Sequence, residues 1–429
     1  MARSIRVAAA QLAAHDRTDF PAALEAAIVA TRHACSDADV VVMPEGTIPA
    51  YVLGRAALDW NEVDVAIARL RDLARETRTV IVAGAAAAVE GRARNGAVVI
   101  DADGSPAGRA DKFFLWHFDR RWFEPGDRIA PIATRAGSLG VLVCADGRLP
   151  TIARALVDRG AEILVMPTAW VTSGRDPSAL ENVQADLLAR VRAYENGVPF
   201  VAANKCGSEL GMVAYCGKSQ IVDARGEIVA LASETQPETL HATVALGDAG
   251  PRRGTPPAVT PRARTVGDTL RVAISFDPLP DDIAERLALL DGDYAIAPHE
   301  PGRLAMLDGA LGAAEAGDET VLDPGGLVAY RRAGYALICW TSALPAPWLE
   351  RVARARALEL RLYVIVFDRA QRRAFAVDPD GAIVAGTFGE YRLASFSLAA
   401  AKTAQTAVAP GTDVAAGLER VAAALGGPA

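Results

Sequence analysis

Residues 139–159, LGVLVCADGRLPTIARALVDR, pass from an apolar run through a short polar turn into an amphipathic stretch. The run GVLVC has the length and branching of a buried strand, and helical spacing resumes near Thr151, after Pro150. A strand that turns into a helix is the unit from which α/β layers are built. Cys144 stands at that turn, where a side chain is exposed at the sheet edge and faces the positive end of the helix dipole. Both effects favour a thiolate, the reactive form of a group whose free pKa is about 8.5. Taken alone, a single cysteine reads as readily as a buried apolar residue.

Working outward, the same grammar recurs from residue 5 to about 247. RVAAAQLA (6–13), DVVVMPEG (39–46) and TVIVAGAA (79–86) read as strands, separated by amphipathic stretches at 22–35 and 61–77. EILVMPTAW (162–170), a helix at 180–196, PFVAAN (199–204) and a hairpin SQIVDARGEIVA (219–230) follow the cysteine. Alternating strand and helix signals predict a layered α/β domain over residues 1–247. Gly104, in the turn of VVIDADGSPAG, is placed where a positive φ is expected.

Residues 248–267, DAGPRRGTPPAVTPRARTVG, carry four prolines and no apolar periodicity, the composition of a linker. Residues 268–429 then repeat earlier pieces in the same order. RAYENGVPFVAAN (192–204) lies on RALELRLYVIVFD (356–368), VDARGEIVA (222–230) on VDPDGAIVA (377–385), and EILVMPTAW on YALICWTSA (335–343). The segment reads as a shortened, noncatalytic second copy. In it the place of Cys144 falls near Gly317 or Asp318, and Cys339 lies on the following strand.

Length and composition suit two soluble domains: 429 residues, 51% hydrophobic, with a net charge of −7. No block of Lys and Arg forms a phosphate-binding stripe, so nucleic acid is not an expected partner. No apolar run reaches the roughly 18 residues of a membrane span, and the N-terminus carries no secretory pattern; a cytoplasmic protein is expected. Five scattered cysteines without a C-x-x-C pair suggest neither a disulfide framework nor structural zinc. No metal or other cofactor is expected.

Two further residues complete a candidate constellation. Glu45 ends the strand DVVVMPEG, at the sheet edge where α/β folds place their clefts, and can act as general base to a thiol. Lys112, in GRADKFFLWHF, is a lone cation before an aromatic run, able to stabilise an oxyanion. PEG around Glu45, DKFF around Lys112 and CADGRLP around Cys144 occur in that order, with WFEPGD (122–127), MPTAW (166–170), RAYEN (192–196), AAN (202–204) and CGKSQIVDARG (216–226) between and beyond them. In these motifs the chain resembles the nitrilase, or carbon-nitrogen hydrolase, superfamily across residues 5–247.

The resemblance implies a four-layer αββα sandwich, followed by a second, shortened domain of the same type. It implies that Glu45 takes the thiol proton, Cys144 attacks a carbonyl or nitrile carbon, and Lys112 stabilises the charged intermediate, with release through a thioester. The backbone N–H after Cys144, that of Ala145, would complete the oxyanion hole. Family members usually carry a second glutamate where this chain has Asp119, which is a candidate supporting carboxylate with a side chain shorter by about one carbon–carbon bond. Amidase members usually place glutamate where Thr151 stands; Thr151 is read as a helix cap. Tyr51, Trp60, Phe114, Trp116 and Trp170 are candidate pocket residues.

CADGR after the nucleophile points to a small amide or N-carbamoyl substrate, whereas EGTIPAY (45–51) leans toward nitriles. A noncatalytic binding protein and a Cys–His hydrolase using His117 also stay open. The chain is expected to self-associate, or to replace self-association by packing of its second copy.

Overall fold

The computed structural model describes residues 3–246 apart from 56, 175 and 177, and residues 269–426 apart from 300–302, 305–312, 406, 410 and 411. The proposed linker 248–267 therefore lies outside the described residues. The chain folds as two compact units. The first takes in Met1–Pro251 together with Ala409–Thr412 and Glu419–Ala429, and the second Arg252–Val408 with Asp413–Leu418. The C-terminal stretch is thus divided between them.

The first unit opens with β1 (Ser4–Ala13), α1 (Phe20–Cys35), β2 (Val40–Val42), α2 (Trp60–Thr77), β3 (Val80–Val89), β4 (Arg92–Ile100) and β5 (Pro106–Asp111). It continues through β6 (Ile132–Thr134), β7 (Gly137–Val141), α3 (Pro150–Asp158), β8 (Ile163–Pro167), α4 (Ala189–Asn196) and β9 (Phe200–Ala203). The last strands are β10 (Lys205–Glu209), β11 (Val213–Cys216), β12 (Gln220–Val222), β13 (Ile228–Leu231) and β14 (Glu238–Ala245). One sheet has the order β11-β10-β1-β2-β3-β4-β5, with β14 also antiparallel to β1; the other runs β13-β12-β9-β8-β7-β6.

Helices α1 and α2 pack on the first sheet and α3 and α4 on the second, while β1, β2 and β3 face β8 and β9. That is the αββα sandwich. It explains why Val7, Ala8, Ala9 and Ala10 are all inaccessible in one strand: one face meets helices and the other meets a sheet. The apolar runs of β2, β3, β8 and β9 are buried on both faces for the same reason. Helix α2 is started by Asp59, whose carboxylate accepts from the backbone of Asn61 and Glu62. Gly104 has φ 80°, as its turn requires.

Sequence-based expectations fail at two local points. Helix α3 begins at Pro150, so Leu149 is its N-cap and Thr151 caps nothing; the Thr151 hydroxyl is buried without a partner. Trp60 is half-buried and packs against the cluster of Leu53, Ala86, Leu115 and Phe123.

The second unit contains β15 (Thr269–Ser275), α5 (Ile283–Leu289), β16 (Tyr294–Ile296), the short pair β17 (Pro298–His299) and β18 (Arg303–Leu304), β19 (Ala313–Ala316), α6 (Asp318–Leu322) and α7 (Pro324–Arg332). Then come β20 (Leu337–Ser342), α8 (Ala346–Leu360), β21 (Tyr363–Asp368), β22 (Arg373–Val377), β23 (Ile383–Gly386) and β24 (Leu393–Ala399). Its sheets are β16-β15-β24 and β19-β20-β21-β22-β23.

These sheets repeat parts of the first unit strand for strand. β15 pairs in parallel with β16 and antiparallel with β24, as β1 does with β2 and β14. β19-β20-β21-β22-β23 has the pairing directions of β7-β8-β9-β12-β13, and the last pair in each carries an irregularity at the equivalent step, Ile221/Val222 and Ala376/Val377. No helix of the described residues is long and apolar enough to cross a membrane.

Candidate active site

Glu45, Lys112 and Cys144 follow the C-terminal ends of β2, β5 and β7, so the sandwich brings three distant stretches to one place. The Glu45 segment is tied to the second sheet by a bond from Glu45 N to Thr168 O of 3.2 Å, just past β8. It lies so close to β3 that a Cβ on Gly84 would sit 2.2 Å from Pro44 O and 2.4 Å from Glu45 Cα. Only glycine permits that approach. Lys112 N donates to Asn95 O on β4 at 2.8 Å.

The three side chains are almost completely buried. Lys112 Nζ lies 2.7 Å from Glu45 Oε1 and 2.6 Å from Asp119 Oδ2. Asp119, the candidate supporting carboxylate, thus reaches the lysine despite its shorter side chain, from the five-residue 3-10 turn His117–Arg121. Tyr51 donates to Asp119 Oδ1 at 3.0 Å, and the Trp116 amide to Oδ2 at 3.0 Å. Asn95 Nδ2 donates to Glu45 Oε1 at 2.7 Å. Glu45 Oε2 is buried without a hydrogen-bond partner, and the Cys144 thiol is near enough that each group shifts the other's proton affinity.

Burial would lower the Lys112 pKa, but Asp119 and Glu45 overcome it and hold the ammonium well above its ordinary range. Burial also raises Glu45, with Lys112 opposing. For Cys144, burial pushes the thiol up to about 12, Glu45 adds to the shift and Lys112 opposes it. Burial thus works against the thiolate that the position of Cys144 in the sequence favours, and Lys112 works for it. A 3-10 turn, Cys144–Arg148, stands between β7 and α3, so Cys144 is not at the first turn of that helix and desolvation dominates. Its backbone has φ 47°, a strained position for a residue with a Cβ, held where Sγ is 3.8 Å from Ala169 O.

The other sequence candidates distribute as follows. Ala145 is buried immediately after Cys144, in the same turn. Tyr51 joins Ala169 and Tyr215 in one cluster with Phe118 at its margin. Trp170 is buried, its indole N–H without an acceptor. Trp116 is half-buried and stacks under Arg148, 4.3 Å from its ring centre. Phe114 is core, its amide bound to Asp146. His117 is exposed, whereas Cys144 is buried.

Sequence reasoning missed Asn95 and Asp146. Asp146 accepts from Phe113 N (3.0 Å), Phe114 N (2.7 Å) and Val143 N (3.0 Å), joining the segments that follow Lys112 and precede Cys144. Burial pushes its carboxyl up to about 7 against those bonds. The Asp146→Asn variant sets an NH2 group against at least one of the three donors. It is expected to lose about 1–3 kcal/mol in urea unfolding; an unchanged midpoint would contradict this role.

The carbon-nitrogen hydrolase family profile matches residues 6–253, more than half the chain and all three segments of this site. The chain belongs to the carbon-nitrogen hydrolase family. Among its relatives, a probable nitrilase of Schizosaccharomyces pombe is 31% identical over 37% of this chain and 56% of its own length. An (R)-stereoselective amidase of Pseudomonas sp. is 30% identical over 45% of this chain and 68% of its own. The match thus spans little more than half of the fission-yeast relative. A mutant amidase from Nesterenkonia sp. AN1 in complex with butyramide superposes with a TM-score of 0.51 and 26% identity, over 56% of this chain and 91% of that one. These three matches cover 37%, 45% and 56% of the present chain, and the family profile ends at residue 253.

Proposed function

We propose that this carbon-nitrogen hydrolase cleaves the C–N bond of a small amide or N-carbamoyl compound through a thioester on Cys144. The observation that carries the reading is the buried Lys112 ammonium bonded to both Glu45 and Asp119 beside the Cys144 thiol.

The arrangement suits a step in which charge forms only on reaction. Glu45 Oε2 takes the thiol proton as sulfur bonds to the carbonyl carbon. The oxyanion is received by Lys112 Nζ and the Ala145 N–H, donors already fixed in a dry site. Glu45 passes the proton to the nitrogen, the C–N bond breaks and ammonia or an amine departs. A water then gives a proton to Glu45 and attacks the thioester; the C–S bond breaks, sulfur recovers the proton and the acid leaves. Asp119 and Asn95 keep Lys112 and Glu45 in position through both halves.

An amide is favoured over a nitrile because ADGR follows the nucleophile, and the amidase relatives support the same choice. Tyr51, Trp116 and Trp170 are the residues we assign to the substrate pocket. The test is ammonia release from a panel of short amides, N-carbamoyl amino acids and nitriles. Release from an amide or carbamoyl compound supports the reading; release from nitriles alone overturns it.

We further infer that the second unit is a noncatalytic copy of the first. Beyond the shared strand order, buried Arg356 repeats Arg192. Each binds a glutamate three residues on, Arg356–Glu359 at 2.7 Å and Arg192–Glu195 at 2.9 Å. Arg192 Nε donates to Gly147 O, three residues past Cys144, and Arg356 Nε to Val321 O, three past Asp318. Arg190 and Arg354 each donate to the glycine carbonyl of the following hairpin, Gly226 and Gly381. By this register Asp318 stands where the nucleophile would be, and it accepts from Trp340 Nε1 at 2.9 Å. Cys339, buried on β20 with its thiol raised by desolvation, then has no part in turnover. Cys339→Ala should keep kcat within about 2-fold of wild type, a change too small to be a lost catalytic group; a loss like that of a nucleophile would refute the copy's inertness.

A further inference from the structure

Strand β10 carries a buried ion pair that the proposed chemistry does not use. Lys205 Nζ lies 2.6 Å from Glu209 Oε1, and both side chains are inaccessible. A buried pair is weak evidence for stability, since desolvating two charges offsets most of their attraction. What matters is the other atoms it binds. Lys205 Nζ also donates to Gly46 O at 2.9 Å, and Glu209 Oε2 accepts from Val52 N at 2.7 Å.

Those two backbone groups close the loop that begins at Glu45. Between them, His15 Nε2 meets Pro49 O at 2.9 Å. Gly46 has φ 60° and packs so tightly that a Cβ there would lie 2.5 Å from Tyr51 Cα. The loop therefore presents the base at one end and Tyr51, the donor to Asp119, near the other. Tyr215 continues the support, its ring 5.7 Å from Lys205 Nζ and 6.2 Å from the Tyr51 ring. On another side, Thr47, His15 and Lys205 border a cavity of about 660 Å³ whose opposite wall is the alanine face of α1. Elsewhere the loop is packed, with Ile48 in the core and bonded to Gly84 O and Ala86 N on β3, so the Lys205 and Glu209 bonds act on its two ends.

We propose that Lys205 and Glu209 are positioning residues, which fasten the Gly46–Val52 loop so that Glu45 and Tyr51 keep their places around Lys112. The inference rests on the hydrolase reading and extends it to two side chains that touch neither the thiol nor the substrate. An apolar pair of the same volume would fill the space but could not bind both Gly46 O and Val52 N.

The test uses the full chain and the variants Lys205→Met, Lys205→Arg and Glu209→Gln, assayed well below their melting temperatures. Two rates are followed: amide turnover, and alkylation of Cys144 by iodoacetamide across pH, which needs no substrate. Displacing a reacting group by about 1 Å costs on the order of 100-fold. Lys205→Met should lose about that factor in kcat with KM changed by less than about 3-fold, and its alkylation should slow in parallel with a displaced acid limb. Lys205→Arg should recover most of both rates. If Lys205→Met does not fold, Glu209→Gln decides by the same readouts. Variants that melt earlier yet keep wild-type kcat, alkylation rate and pH profile would overturn the proposal. If wild type hydrolyses no amide, the hydrolase reading fails, and the positioning proposal stands or falls on alkylation alone.

Discussion

Cys144→Ala should abolish ammonia release from whichever amide the wild type hydrolyses, a fall of roughly 10⁵–10⁶-fold, the scale on which removing a nucleophile acts when the rest of the site is intact. The loss should appear in kcat, because the covalent bond is made only during reaction. Stability should change little. Burial and Glu45 both raise the thiol's pKa and Sγ approaches Ala169 O at 3.8 Å, so alanine removes a group whose charged form burial disfavours. The φ of 47° is no easier for alanine, which keeps a Cβ, and no backbone strain is relieved. A variant that melts like wild type but retains a tenth of its turnover would place the nucleophile elsewhere.

Lys112→Met should do something different: it should destabilise the protein in a pH-dependent way as well as stop turnover. The substitution leaves Glu45 and Asp119 buried without their shared cation. Breaking a buried pair from one side costs about 3–5 kcal/mol, which for a domain of this size is a fall of about 10 °C in Tm. The sign follows from Glu45. Its carboxyl is already raised by burial and Lys112 is the main influence lowering it, so the variant's folded-state pKa rises further. A carboxyl raised in the folded state binds more protons folded than unfolded. Its contribution to stability is present below the unfolded value of about 4.3 and is lost as pH climbs toward the folded one. The Tm gap between wild type and Lys112→Met should therefore widen from pH 5 to pH 8. A gap that is constant over that range would mean the carboxylates are not left charged and buried.

The elements that sequence made legible are those where pattern and chemistry coincide. Val40–Met43 and Ile163–Pro167 are short apolar runs ended by Pro, and each became a strand buried on both faces. Glu45 and Cys144 stand after such apolar runs and Lys112 before an aromatic one, each in a recognisable motif. What stayed hidden depends on contacts between segments far apart in the chain. Asn95 is one polar residue inside β4, and nothing local tells that its amide reaches Glu45. Asp146 looks like a turn residue beside Gly147, yet it binds amides 32 and 33 residues away. For Cys144, its position before a helix is visible in sequence, whereas the full burial that raises its thiol is not. Asp119 was legible as a candidate supporting carboxylate, but whether its shorter side chain reaches Lys112 depends on a fold that sequence does not show.

The second unit shows the same division. Its β-strand grammar and the Arg356–Glu359 spacing were legible as repeats of 192–204. Our proposed register, which sets Asp318 against Cys144, rests on the carbonyls that Arg192 and Arg356 bind, and sequence does not show those.

The most direct measurement is mass spectrometry of the wild-type chain, acid-quenched during turnover of a short amide and then digested. The mechanism predicts a peptide containing Cys144 heavier by the acyl group of that amide, absent when the amide is omitted. Steady ammonia release with Cys144 unmodified and the acyl group on another residue would contradict it.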